Sequence, residues 1–176
     1  MTSDSHTTTR PVKVLLADYP ELTRHALRRL IEAGESFHVV AEAATMDEIT
    51  EHARRSTVDV VAIDFDMPGL DELETVSWHG QPDAPATVII ARHQDVGDLD
   101  RALQIGANGY VTKDDDADVL YLALREAASG RSFLSPRVTR TVLDALARPG
   151  AQPSEARTRS AARYTTAGDE TRAEPD

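Results

Sequence analysis

Asp59-Val60-Val61-Ala62-Ile63-Asp64-Phe65-Asp66-Met67-Pro68-Gly69 decides the fold of this chain. The apolar run from Val60 to Ile63 leads straight into a carboxylate, and a Pro-Gly turn follows. A short, unbroken apolar run bounded by turn residues fits a strand buried on both faces. Pro68-Gly69 then bends the backbone away. Asp64 is thereby delivered to the edge of a sheet, where a carboxylate serves as a ligand, a nucleophile or a cap.

Similar runs lie on either side. Residues 12–17 are apolar apart from Lys13 and end at Asp18. Residues 37–43, 58–64, 87–91 and 110–112 complete a set of five expected strands, the last ending at Lys113. Between them lie helical patterns. Ala26, Leu27, Leu30 and Ile31 form one apolar stripe over 23–33, and Gly34 stops it. Thr45 and Glu48 form a capping box ahead of a helix running to about Arg55. A weaker helix is expected over 70–78, and 80–85 reads as a loop. Leu99, Ala102, Leu103 and Ile105 mark a helix ending at Gly106. Residues 117–128 form a strongly periodic helix stopped by Gly130. Ser135 caps a last helix to about 147, with Pro136 at its first position.

Strand and helix alternate five times, so the expected class is α/β with a parallel sheet covered on both faces. Ligands in such sheets sit beyond the carboxyl ends of strands, near a topological switch point. The residues at those ends are Asp18, Asp64, Ala91 and Lys113. Two carboxylates and an ammonium therefore converge from distant parts of the chain.

Composition narrows the choices. The chain has 176 residues, 40% hydrophobic and 28% charged, which suits one soluble domain with tails. A net charge of −11 argues against a basic nucleic-acid-binding face. The absence of cysteine excludes a disulfide framework or thiolate metal site. No stretch approaches the roughly 20 apolar residues that span a bilayer. Residues 1–10 are polar and read as a disordered leader, with no signal-peptide run. Residues 150–176 lose nearly all large apolar side chains and read as a disordered tail. The expected location is the cytoplasm.

An isolated Asp/Lys pair on a surface is a weak salt bridge. Here the strand ends, the turn after Asp64 and a second acid from another strand favour function. Clustered carboxylates attract a hard cation, and Mg²⁺ takes one or two carboxylates plus a phosphate. A carboxylate can also attack a phosphoryl donor to give an acyl phosphate. A lysine would neutralise the charge on the transferring group.

On these residues the chain resembles the receiver domain of bacterial response regulators of the LuxR/NarL type. Residues 12–18, Asp59 to Asp71, and Gly106-Ala107-Asn108-Gly109-Tyr110-Val111-Thr112-Lys113 carry the resemblance. Ser132-Phe133-Leu134-Ser135-Pro136 is similar to the lead into that class's linker. The similarity spans about 11–148, with 11–131 as receiver and 132–149 as a linker-type helix. It implies a flavodoxin-like fold with five parallel strands in order 2-1-3-4-5. It also implies Asp64 as phospho-acceptor and Lys113 as the phosphoryl contact. Asp18, Asp64 and Asp66 are the implied Mg²⁺ positions, Asp66 through its backbone carbonyl. Ala91 and Tyr110 stand at the switch positions. A sensor histidine kinase or another regulator is the implied partner, with homo- or heterodimers as possible assemblies. Neither nucleic acid nor membrane is expected as a direct partner.

The chain departs from the family pattern at four places. Tyr19 stands where the family has a second acid, which takes away a charge and puts a large ring at the mouth of the pocket. Mg²⁺ binding is therefore expected to be weak or absent. Ala91 replaces a Thr or Ser whose hydroxyl binds the phosphoryl oxygen. Arg92 follows it, and strand alternation turns that side chain away. Glu72 replaces a glycine. The residues after Pro149 lack the apolar pattern of a helix-turn-helix domain, and their four arginines face five acids.

The expected function is an atypical receiver working through protein contacts, with phosphorylation at Asp64 weak or lost. The alternative is a remnant or partner of a LuxR/NarL-type DNA-binding regulator, acting by heterodimerisation. An enzyme on the same fold, such as a flavin or cobalamin protein, lacks its motif here. Gly106 to Gly109 precedes a strand rather than a helix. The six histidines have no metal-binding spacing.

Overall fold

The computed structural model describes residues 10–55, 57–71 and 84–147. Strands and helices alternate as β1 (Val12–Ala17), α1 (Glu21–Ala33), β2 (Phe37–Ala43), α2 (Met46–Arg55), β3 (Val60–Asp64) and β4 (Ala86–Ala91). They continue as α3 (Val96–Gln104), β5 (Gly109–Thr112), α4 (Ala117–Ala128), β6 (Phe133–Leu134) and α5 (Pro136–Leu146). The helix expected over 70–78 lies outside the described residues beyond Asp71, and so does Glu72. The leader before Arg10 and the tail after Ala147 lie outside them as well.

The sheet is parallel throughout, in order β2-β1-β3-β4-β5-β6. This corrects the expected five strands to six. Phe133 N donates to Asn108 O at 2.9 Å, and Ser135 N donates to Tyr110 O at 3.0 Å. Two residues are too few to show a period, so β6 leaves no pattern in the sequence.

Two apolar layers lie on opposite faces, as strand alternation requires. Leu15, Ala17, Val61, Ile63, Ile89 and Ala91 point to one face. There they meet Met46 and Ile49 of α2, Leu99 and Ala102 of α3, and Val138 of α5. Val14, Leu16, Val60, Ala62, Val88 and Ile90 point to the other. They meet Leu27 and Ile31 of α1 and Leu120, Ala123, Leu124 and Ala127 of α4. Each such Leu, Ile or Val removed from water contributes about 1.5–3 kcal/mol. That burial fixes β1, β3, β4 and β5 as central strands and so fixes where their ends lie.

Local signals agree with the tertiary arrangement. Thr45 Oγ1 accepts from Glu48 N at 3.3 Å, and the Glu48 carboxylate accepts from Ala44 N at 2.7 Å. Ser135 Oγ accepts from Val138 N at 3.4 Å, with Pro136 opening α5. Gly69 has φ 80°, the left-handed geometry that the turn after Pro68 needs. Gly34 ends α1 for a different reason. A Cβ there would lie 2.9 Å from the Phe37 ring, which stacks on Tyr121 with centroids 5.4 Å apart.

Candidate functional site

The chain steps from β1 to β2 on one side of the sheet and returns to β3 on the other. That switch leaves a crevice beyond the ends of β1 and β3. Asp18 and Asp64 stand at its two walls. Asp18 is 0% exposed and Asp64 2% exposed. Lys113, one residue past β5, reaches across. Its ammonium donates to Asp64 Oδ2 and lies 3.6 Å from Asp18 Oδ2. The three residues singled out in the sequence are thus brought together.

Asp64 is held on its other side as well. Its Oδ1 accepts from the backbone N of Asp66 at 2.9 Å, and its carbonyl accepts from Met67 N at 3.1 Å. The turn after β3 therefore fixes the carboxylate's orientation. Asp18 differs. Neither of its carboxylate oxygens has a hydrogen-bond partner. Burial, and then the Asp64 charge beside it, push its carboxyl up to about 6 from an ordinary 3.8, and Lys113 pulls the other way.

Unpartnered buried oxygens next to a second carboxylate suit a hard cation. Asp18 and Asp64 could bind Mg²⁺ through their side chains, and Asp66 through its carbonyl. The Asp66 side chain is not aimed at them. It is 41% exposed and pairs with Arg92, whose Nε lies 2.9 Å from Asp66 Oδ2. Among the described residues no cluster of three or more His, Cys, Asp or Glu side chains is arranged for a metal. The site thus offers two side-chain ligands.

Tyr19 follows Asp18 in the loop after β1. It is 64% exposed. A tyrosine at this position supplies no carboxylate to the site. The loop that carries the pair is tied down by residues that the sequence pattern does not mark. Arg24 Nη1 donates to Asp18 O at 2.8 Å, and Arg24 Nε pairs with Glu42 at 3.1 Å. Glu42 also pairs with Arg28 at 2.6 Å. Burial works to raise the Glu42 carboxyl, but hydrogen bonds from Arg28 and Arg24 outweigh it and hold it below the usual range. Facing charges on α1 and β2 are the available signal, visible only once α1 is known to cover β2.

The end of β4 brings Ala91 into the wall, 1% exposed, with its carbonyl accepting from Lys113 N at 2.7 Å. It supplies no side-chain donor. Tyr110 is 1% exposed on β5. Its hydroxyl donates to His93 O at 3.2 Å, and its ring meets Phe65 edge-on at 6.4 Å. Tyr110 thus links the β4–α3 loop to the residue beside Asp64. A second link joins the neighbourhood of Lys113 to α5. Asp115 accepts from Thr112 N at 2.8 Å and Thr112 Oγ1 at 3.0 Å. Its other oxygen lies 3.4 Å from Arg137 Nε, and the Asp115 side chain is only 4% exposed.

Among the described residues no helix is long and apolar enough to cross a membrane. A family model of the response regulator receiver domain matches residues 14–125, well over half of the chain. The nitrate/nitrite response regulator NarP of Escherichia coli is 33% identical over 129 residues, covering 73% of this chain and 60% of NarP. The response regulator GacA of Pseudomonas aeruginosa is 31% identical, covering 72% of this chain and 60% of GacA. The crystal structure of a LuxR-family two-component response regulator from Aurantimonas has a TM-score of 0.69 at 31% identity. The match covers 76% of this chain and 96% of that one. The signal receiver domain of a NarL-named regulator from Mycobacterium tuberculosis gives a TM-score of 0.62 at 27% identity, covering 70% and 100%. This chain therefore spans about three fifths of the length of the curated relatives it matches. With its strand order, the convergence of Asp18, Asp64 and Lys113, and these matches, the chain belongs to the response regulator receiver domain family.

Proposed function

We propose that this chain is a receiver that accepts a phosphoryl group on Asp64 slowly and signals through protein contacts. Receiver domains are signalling modules rather than enzymes, and they normally bind Mg²⁺ at the aspartate site. The observation that carries the reading is the buried Asp64 carboxylate, gripped by Lys113 on one oxygen and by the Asp66 amide on the other.

The step transfers a phosphoryl group from a small acyl phosphate or a phosphohistidine to Asp64. One Asp64 oxygen attacks phosphorus. The new P–O bond forms as the bond to the donor breaks, and the donor leaves with the electron pair. Mg²⁺, when bound beside Asp18 and Asp64, supplies positive charge to the phosphoryl oxygens. Lys113 stabilises the same charge from the β5 side. Two features make the reaction slow: one side-chain acid fewer for the cation, and no hydroxyl at Ala91. A sensor histidine kinase or another regulator protein would supply the group or receive the signal.

Incubation with acetyl phosphate and Mg²⁺, read by mass spectrometry, tests the reading. The gain of one phosphoryl group on the peptide carrying Asp64, absent in Asp64→Ala, is the expected result. No gain at any donor concentration would make the chain a receiver that works without phosphorylation.

A further inference from the structure

Arg92 and Asp66 form an ion pair between the two loops that flank the acceptor. Arg92 follows β4 directly, and Asp66 lies two residues past Asp64. The contact is Nε to Oδ2 at 2.9 Å, with side chains 59% and 41% exposed. The partner is not incidental to the site. The backbone N of Asp66 is the group that holds Asp64 Oδ1. Arg92 is therefore tethered to the residue that makes the acceptor's own hydrogen bond. It also borders an open cleft of about 260 Å³ shared with Thr112, the residue before Lys113.

The charge balance gives this cation a task. Asp18 and Asp64 share Lys113 on the β5 side, and Asp66 pairs with Arg92. Phosphorylation turns the Asp64 carboxylate, charge −1, into an acyl phosphate of nearly −2, a net gain of about one negative charge spread over three acceptor oxygens. The β4 end, which borders the crevice, supplies no side-chain donor because it carries Ala91. A guanidinium presents five N–H donors in a planar fork, and that fork matches phosphoryl oxygens two at a time. A half-exposed pair with Asp66 is weak and easily exchanged. A new dianion beside it competes for the same cation on favourable terms.

We propose that Arg92 is a phosphoryl-binding residue: it leaves Asp66 for the phosphoryl group on Asp64 and takes the place of the hydroxyl that Ala91 lacks. The inference rests on Asp64 being the acceptor. Asp66 then acts as a holder that keeps the cation at the mouth until the group arrives. Asp66→Asn frees the cation and speeds its capture.

The test measures labelling by acetyl phosphate and Mg²⁺ in the full chain, by mass spectrometry over time. Arg92→Ala is expected to label about tenfold more slowly than the parent. Arg92→Lys retains part of the rate, as a point charge without the fork. Ala91→Thr in the Arg92→Ala background restores it, which a merely structural role for Arg92 would not allow. Melting temperatures of the variants, measured without donor, should stay within about 2 °C of the parent because Arg92 is exposed. Equal or faster labelling of Arg92→Ala overturns the inference and leaves the acceptor reading intact. Labelling of the parent at a residue other than Asp64, or not at all, overturns both.

Discussion

Lys113 Nζ lies 3.6 Å from Asp18 Oδ2, close enough for charge but beyond hydrogen-bond reach. The same ammonium is spent on Asp64. One cation thus serves two buried carboxylates unequally, and Asp18 is left without a donor. Much of this receiver's behaviour follows from that inequality.

The first consequence is a pH dependence. The Asp18 carboxyl is raised to about 6 in the fold from an ordinary 3.8. The folded chain therefore holds a proton that the unfolded chain has already released. This contribution to stability is fully present below about pH 3.8 and is lost as pH rises through 6. With a chelator present, urea melts should show stability falling between about pH 4 and 6.5. Asp18→Asn should flatten that fall and gain up to about 3 kcal/mol at neutral pH, the free energy of a shift of about two pH units. A slope unchanged in Asp18→Asn would contradict it.

Removing Lys113 should act in the opposite direction. Lys113→Ala leaves two buried carboxylates with no cation between them. The expected loss is about 3–5 kcal/mol at pH 7, smaller at pH 5, where Asp18 is largely protonated. Thermal melts at the two pH values measure it, and labelling of Asp64 by acetyl phosphate should vanish in the same variant.

Tyr19 is exposed, so Tyr19→Asp should leave stability within about 0.5 kcal/mol. It adds a carboxylate next to the cation site. Mg²⁺ affinity, read by titration calorimetry, should rise about tenfold, in line with the dependence of such sites on ligand charge. An unchanged affinity would mean that residue 19 cannot reach the ion.

Asp115 is a nearly buried carboxylate with three contacts: two from Thr112 and one from Arg137. Asp115→Ala strands the Thr112 amide and should cost about 1–3 kcal/mol. Arg137→Ala removes only the tie to α5. Its effect on global stability should be below about 1 kcal/mol, while amide exchange in α5 accelerates. Exchange that is unchanged in α5 would show that Val138 packing alone holds the helix.

Much of the fold is legible in the sequence. All five expected strands are present among the described residues, and so is every expected helix except the one over 70–78, with ends moved by a few positions. The reason lies in runs such as Val14-Leu15-Leu16-Ala17, whose alternate residues feed two separate cores. An apolar run of that kind has one stable setting, between two layers of helices. The short strand β6 is different, because Phe133 and Leu134 are half-buried and too few to define a period.

Pattern alone sets Asp18, Asp64 and Lys113 at the ends of three parallel strands, because each apolar run stops at that residue. Parallel strands with covered faces put their carboxyl ends on one side, so the convergence of the three follows directly. What those groups do with their neighbours depends on contacts made in the folded chain. Asp66 turns to Arg92, Arg24 braces the Asp18 loop from Glu42, and Asp115 reaches α5. These are polar contacts between loops and elements far apart in the chain. Hydrophobic burial leaves a local period in the sequence, while a polar pairing across loops leaves none until the backbone brings the partners within reach.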